Sequence, residues 1–315
     1  MEITMAEFFL KDVNDAAENP KMAIAKAESE YFNKVRLIAE RVSENENIKI
    51  VLLAGPSGSG KTTTANLVAD AIRMNGESVL VVSLDDFYRS QDDREYPRLA
   101  NGGLDYECPE ALNLPALTET LRKIASDESF EIPKYNFKEG KTTGTAKYPP
   151  LAHGCVIIEG LHALNPKISE LLPKEKILKV FVSVSTNIND ETGERIISGR
   201  KIRFIRRLVR DSIYRASGAE RTLSLWHGVL VAEDVYLYPY KSEADVAFDT
   251  FHIFELGALA HFAKPLIPKS LAERDKYANT VLKAIESVKE IDSSLIPSTS
   301  LIREFIPGGI YEALY

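Results

Sequence analysis

Short apolar runs alternate with helix-period stripes along most of the chain. Ile50, Val51, Leu52 and Leu53 form a continuous apolar run stopped by glycine, the pattern of a strand buried on both faces of a parallel sheet. The same signature recurs at Ser78 to Val82, Cys155 to Ile158 and Ile177 to Val184, and more weakly at Asp245 to Phe248. Helical stretches separate several of these runs, so a parallel sheet with right-handed crossovers is the economical topology. Residues 1–46 read as helical: Met5, Phe8, Phe9 and Val13 fall at helical spacing, and Ile24, Ala27, Tyr31, Val35, Ile38 and Val42 recur every three or four residues. That stripe predicts packing or an oligomer contact. Arg89 to Pro150 is long and polar, and is expected to be a loop region that shapes a binding site. After Phe251 the helical period returns, with Ser270 to Glu273 reading as a capping box ahead of Ala278, Val281, Leu282, Ile285 and Val288.

The expected architecture is α/β: one large domain over residues 47–255, a helical N-terminal extension over 1–46 and a helical C-terminal extension over 256–315. Composition agrees, since 315 residues with 44% hydrophobic and 27% charged is the balance of a globular chain. No run approaches the roughly 18 apolar residues of a membrane span, so no membrane partner is expected. The acidic start lacks a secretory pattern, and two cysteines, Cys108 and Cys155, read as free thiols of a reducing cytoplasm. A net charge of −7 argues against a nucleic-acid partner. One segment runs the other way: Glu194 to Arg221 holds nine Lys or Arg against three acids, which points to a local anionic ligand.

The chemistry concentrates in four places. Gly55-Pro-Ser-Gly-Ser-Gly-Lys61-Thr62 fits G-x-x-x-x-G-K-[ST] between a predicted strand and a predicted helix. Such a loop cradles phosphates with backbone N–H groups, here of Gly55, Ser57, Gly58, Ser59, Gly60, Lys61, Thr62 and Thr63; Lys61 reaches the β- and γ-phosphates and the Thr62 hydroxyl ligates Mg²⁺. Ser83-Leu-Asp85-Asp86-Phe-Tyr88 delivers acids to the mouth of the next strand, where phosphoryl transfer to an alcohol needs a carboxylate and where an Asp also caps helices. Val156-Ile-Ile-Glu159 ends an apolar strand in an acid, as a Mg²⁺-organising strand does. Arg203, Arg207 and Arg210 share a helix face with Arg206 beside them, which reads as a cationic lid over transferring phosphate, within about 194–221.

Taken together, GPSGSGKTT, SLDDFY, IPKYNF (132–137), VIIEG and RRLVRD (206–211) resemble the uridine kinase and phosphoribulokinase branch of P-loop kinases, and uridine kinases most closely. The segment 300–306 is similar to the end of a bacterial subgroup whose longer members carry modules like the front of threonyl-tRNA synthetases, and only about 46 residues precede the first strand here. The resemblance implies a P-loop kinase fold using ATP and Mg²⁺ on a nucleoside. By it Asp85 is the general base on the 5′-hydroxyl, Tyr88 lines the nucleoside pocket, Asp105 holds ribose hydroxyls, Tyr135 packs near the base, Glu159 organises magnesium, and Arg207 is a lid arginine, to which the charge pattern adds Arg210. Two positions depart from the pattern. The base-reading histidine falls at about Gly140, and a second lid arginine falls around Ser217, with Arg215 and Arg221 as substitutes. Lys138 or Lys141 is then expected to read the base, or the pocket to choose loosely.

The expected reaction is transfer of the γ-phosphoryl group to the 5′-hydroxyl of uridine or cytidine by a cytoplasmic enzyme, with homo-oligomerisation open. The alternatives are a kinase for another small alcohol, such as a sugar phosphate or vitamin precursor, and a nucleotide-driven switch without acceptor. No Asn-Lys-x-Asp guanine motif supports the switch.

Overall fold

The computed structural model describes residues 7–151 and 153–314. In chain order the elements are β1 (Glu7–Phe9), α1 (Leu10–Glu18), α2 (Pro20–Ser43), β2 (Ile50–Ala54), α3 (Lys61–Met74), β3 (Ser78–Ser83), α4 (Leu114–Ala125), β4 (Phe130–Asn136), β5 (Lys141–Tyr148), β6 (Gly154–Gly160) and α5 (Pro166–Ser169). They continue with β7 (Ile177–Ser183), β8 (Asn187–Asn189), β9 (Arg195–Ile197), α6 (Gly199–Tyr214), α7 (Ala219–Tyr236), β10 (Val246–Asp249), α8 (Glu255–Ala263), α9 (Lys269–Arg274) and α10 (Lys276–Glu286).

All five apolar runs become strands of one sheet, ordered β10-β7-β2-β6-β3 and parallel throughout. Both faces of β2 are buried because alternate side chains feed two cores. Val51 and Leu53 face the core shared with α2, α3, α6, α8 and α10; Ile50, Leu52 and Ala54 face the core beneath α4. Register then assembles the site. Ala54 pairs with Gly160 and Ser83 with Glu159, so the C-terminal ends of β2, β6 and β3 deliver the phosphate loop, Glu159 and Asp85 to one crevice.

The structure corrects two expectations for the flanking segments and one for residues 89–150. Residues 1–46 are not all helical: Phe8 and Phe9 lie in β1, paired in parallel with β8, and Met5 lies outside the described residues. The stripe along α2 is internal packing, since Ile24, Tyr31, Val35, Ile38 and Val42 enter the main core together with Phe305 and Ile306 from near the C-terminus. The expected capping box does not form. Ser270 lies inside α9, and α10 is capped by Asp275, whose side chain accepts from Ala278 N. The expected loop 89–150 contains α4 and an antiparallel β4–β5 hairpin, which short polar strands such as Lys141–Tyr148 conceal from an apolar-pattern reading.

A candidate active site between a phosphate loop and an aromatic cleft

The phosphate loop passes into α3 through Gly60, whose φ of +84° is strained for any side chain and whose missing Cβ makes room for Leu301. Among the described residues the backbone N–H groups of Gly58, Gly60, Lys61 and Thr62 carry no hydrogen bond, and these are the groups left to hold phosphate oxygens. Three of the expected donors are committed within the protein. Ser57 N donates to Glu233 Oε1 (2.9 Å), Ser59 N to Pro56 O (3.2 Å) and Thr63 N to Glu304 Oε2 (3.2 Å). Lys61 Nζ rests on Pro56 O at 3.2 Å.

Beside the loop, Thr62 Oγ1 donates to Glu159 Oε1 at 3.3 Å. Glu159 is 6% exposed, and burial pushes its carboxyl up to about 7 against the pull of Lys61. A hydroxyl and a reluctant carboxylate at this spacing form an oxygen donor pair that suits Mg²⁺, which needs only one or two protein ligands when it binds with phosphates. Among the described residues no cluster of three or more His, Cys, Asp or Glu forms a larger metal cage.

The acidic motif resolves into two different jobs. Ser83 caps the turn by accepting from Asp85 N, so neither aspartate is needed as a cap. Asp85 opens into the cleft; the surrounding protein raises its carboxyl above the ordinary range, opposed by Lys61, Arg215 and Arg210. Asp86 points elsewhere and accepts from the Tyr135 backbone, tying the hairpin to β3.

Beyond Asp85 lies a cavity of about 780 Å³ lined on one side by Tyr88, Tyr135 and Phe137, on another by Arg207 and by Leu225 and Val229 of α7. Asp105 and Glu107 share its rim. The rings of Tyr88, Tyr135 and Phe137 stand 5.1–6.1 Å apart in tilted and edge-on pairs, an aromatic corner suited to a flat ligand. Gly140 closes the hairpin at φ +65°, and the space its side chain would take is filled by the Gln91 amide, which also hydrogen-bonds Tyr135. Gln91 lines the cavity, which Lys138 and Lys141 do not.

The basic segment divides within one helix. Arg203 and Arg206 are fully buried and paired with Glu233 and Glu255, so they are structural parts of α6 and not part of a lid surface. Arg206 also donates to Gly58 O (3.2 Å) and Arg203 to Ser57 O (2.8 Å). Arg207 donates to Ser57 Oγ (3.1 Å), and Arg207, Arg210 and Arg215 converge on the single carboxylate of Asp211. Three cations on one carboxylate leave positive charge beside the phosphate loop. Arg221 lines the aromatic cavity.

Sequence reasoning missed Glu107, Gln91 and Glu233. Glu233 lies 30 residues from its arginine partner, beyond local pairing rules. Glu107 had a signal: an Asp commonly bonds the N–H two residues on, and Asp105 does so with Glu107.

A phosphate loop with free N–H groups, an oxygen pair for a hard cation, and an acid facing a separate cleft define a P-loop phosphotransferase. Comparison with known proteins agrees: residues 50–255 match the family model "Phosphoribulokinase / Uridine kinase family", and the chain belongs to that family. It is 31% identical over 198 residues to a uridine kinase of Deinococcus deserti, covering 62% of this chain and 85% of that protein. It is 28% identical to a uridine kinase of Lactobacillus johnsonii, covering 62% and 84%. A possible uridine kinase from Bacillus stearothermophilus superposes with a TM-score of 0.46 at 19% identity, covering 70% of this chain and 100% of that one.

Proposed function

We propose that the protein transfers the γ-phosphoryl group of ATP to the 5′-hydroxyl of a pyrimidine nucleoside, uridine or cytidine. The observation that carries this is the placement of the Asp85 carboxylate between Lys61 of the phosphate loop and an aromatic cavity large enough for a nucleoside. The relatives named uridine kinases support the acceptor class.

In this reading the free N–H groups of the loop and Lys61 bind the triphosphate, and Tyr88 and Tyr135 hold the base by their faces. Thr62 and Glu159 hold Mg²⁺, which when bound neutralises phosphate charge. Asp85 accepts the proton of the 5′-hydroxyl as that oxygen bonds to phosphorus, and the oxygen bridging to ADP departs with its electron pair. Arg207 and Arg210 neutralise the charge that spreads over the transferring group. Residues 47–255 form the kinase domain, with 194–221 as its arginine-bearing part. Two free thiols support a reducing cytoplasm.

The test is ADP release in a coupled assay with uridine, cytidine, purine nucleosides and small alcohols. Release that depends on uridine or cytidine is the expected result; release with none of the nucleosides overturns the proposal.

A further inference from the structure

The segment 300–306 has no part in the reaction described above, yet it packs against the phosphate loop. Ser300 caps a 3₁₀ turn, Leu301–Glu304, by accepting from Ile302 N at 3.2 Å. Leu301 fills the space that a side chain at Gly60 would need. The Phe305 ring lies 5.1 Å from the guanidinium of Arg206, which itself donates to Gly58 O. Leu301, Ile302, Phe305 and Ile306 are fully buried, and Arg303 ties the segment down through Ser293 O (2.9 Å) and Ile296 O (2.6 Å).

What this anchored segment presents to the loop is a carboxylate. Glu304, 4% exposed, accepts from Thr63 N through Oε2 at 3.2 Å. Thr63 follows directly on Lys61 and Thr62, whose N–H groups are left for phosphate, while Thr64 N closes on Gly60 O. Part of this contact is capping, because Gly60 stands at the N-cap without a side chain and Glu304 supplies the missing acceptor from across the fold. A neutral oxygen would cap as well. Glu304 instead brings a negative charge, and among the described residues no Lys, Arg or His ion-pairs with it. That charge reaches across the loop: burial chiefly raises the Glu159 carboxyl, and Asp85 and then Glu304 add to the rise against Lys61. The first turn of α3 attracts anions, and a phosphate loop uses the same N–H groups for the α- and β-phosphates. Two anions therefore contend for one helix end.

We infer that Glu304 is a specificity-determining residue of the nucleotide site: its carboxylate holds the Thr63 N–H that a phosphate oxygen takes, and the two exchange when nucleotide binds. This rests on the phosphate-loop reading above. Only the side chain swings aside, since the apolar anchors of the segment stay in the core. From there its charge still opposes the phosphates, more strongly the more charge they carry. Metal-free ATP is disfavoured more than Mg-ATP, whose cation cancels part of the phosphate charge. The segment 300–306 thus biases the site towards the metal complex.

The experiment measures equilibrium binding of Mg-ATP, and of ATP in EDTA, to wild type and Glu304→Gln, with the melting temperature of each protein alone. Glutamine keeps a carbonyl oxygen for Thr63 N and drops the charge, so the melting temperature should hold. Affinity should rise by about 3- to 10-fold for Mg-ATP and by more for metal-free ATP, narrowing the preference for the metal complex. Affinity that is unchanged or weaker in the folded variant, or a rise no larger for metal-free ATP, leaves Glu304 a cap only and overturns the assignment. A crystal structure of wild type with Mg²⁺ and a non-hydrolysable ATP analogue tests it independently of any variant. Thr63 N should donate to a phosphate oxygen with Glu304 turned away; Glu304 still on Thr63 N beside the bound nucleotide overturns the exchange. A wild type that binds no nucleotide instead overturns the phosphate-loop reading on which it rests.

Discussion

Arg203 and Glu233 form a doubly hydrogen-bonded ion pair with both side chains at 0% exposure, and the pair is clamped on one residue of the phosphate loop. Ser57 gives its N–H to Glu233 and receives Arg203 on its carbonyl. Arg206 and Glu255 repeat the arrangement one turn later and reach Gly58 O. The loop is therefore braced from α6 and α7 before any nucleotide arrives, which lowers the ordering cost of binding phosphates.

Breaking the clamp should unfold the protein more readily. Arg203→Met strands a buried carboxylate, and the expected loss is about 3–5 kcal/mol in urea unfolding. The double variant Arg203→Met/Glu233→Met should recover much of that stability while ATP still binds more weakly than to wild type. Equal stability of wild type and Arg203→Met would contradict the clamp.

Among the described residues the Lys61 ammonium hydrogen-bonds a loop carbonyl and no core group, so the melting temperature of Lys61→Ala should stay put. Turnover should fall by at least about 10²- to 10³-fold, the usual effect of losing one donor to a transferring phosphoryl group. Near-normal turnover in the coupled assay would remove Lys61 from the phosphate site.

The strand runs and the phosphate loop were legible because each is a local pattern: burial on both faces needs a continuous apolar run, and phosphate binding needs a fixed glycine and lysine spacing. The three-residue β1 was not, since its partner β8 lies about 180 residues away and one short edge strand has no period to detect. The arginines of α6 show the same limit. Nothing local separates Arg203, whose carboxylate comes from α7, from Arg207, which faces the site; only the fold supplies Glu233 and Glu255. In the sequence only the resemblance separates Asp85 from Asp86, and the physical reason is visible only once the hairpin backbone is seen to occupy Asp86.

Glu28 of α2 is 6% exposed, both its carboxylate oxygens are buried without a hydrogen-bond partner, and burial pushes its carboxyl up to about 7. A carboxyl whose folded value lies above its unfolded one binds more protons when folded, so stability falls as pH rises from about 4.5 to 7. Glu28→Gln should match wild type near pH 4 and exceed it by on the order of 2 kcal/mol at pH 8 in unfolding measurements. A wild-type advantage at pH 8 would contradict this.

Gly140→Ala places a methyl group 2.6 Å from the Gln91 side chain at a backbone φ of +65°. The amide must leave Tyr135, and discrimination between uridine and cytidine, read from their specificity constants, should shift by several-fold while ATP kinetics hold. An unchanged ratio would show that the Gln91–Tyr135 contact does not shape the cavity's choice of base.

The account turns on Asp85 as the base acting on a nucleoside's 5′-hydroxyl, and the most direct measurement is nucleoside 5′-monophosphate formed from ATP and uridine by wild type, Asp85→Asn and Asp86→Asn. Wild type should form it, Asp85→Asn should form it about 10²- to 10⁴-fold more slowly with ATP binding retained, and Asp86→Asn should be far less impaired. Loss of turnover in Asp86→Asn with Asp85→Asn near normal, or no 5′-monophosphate from wild type, would contradict it.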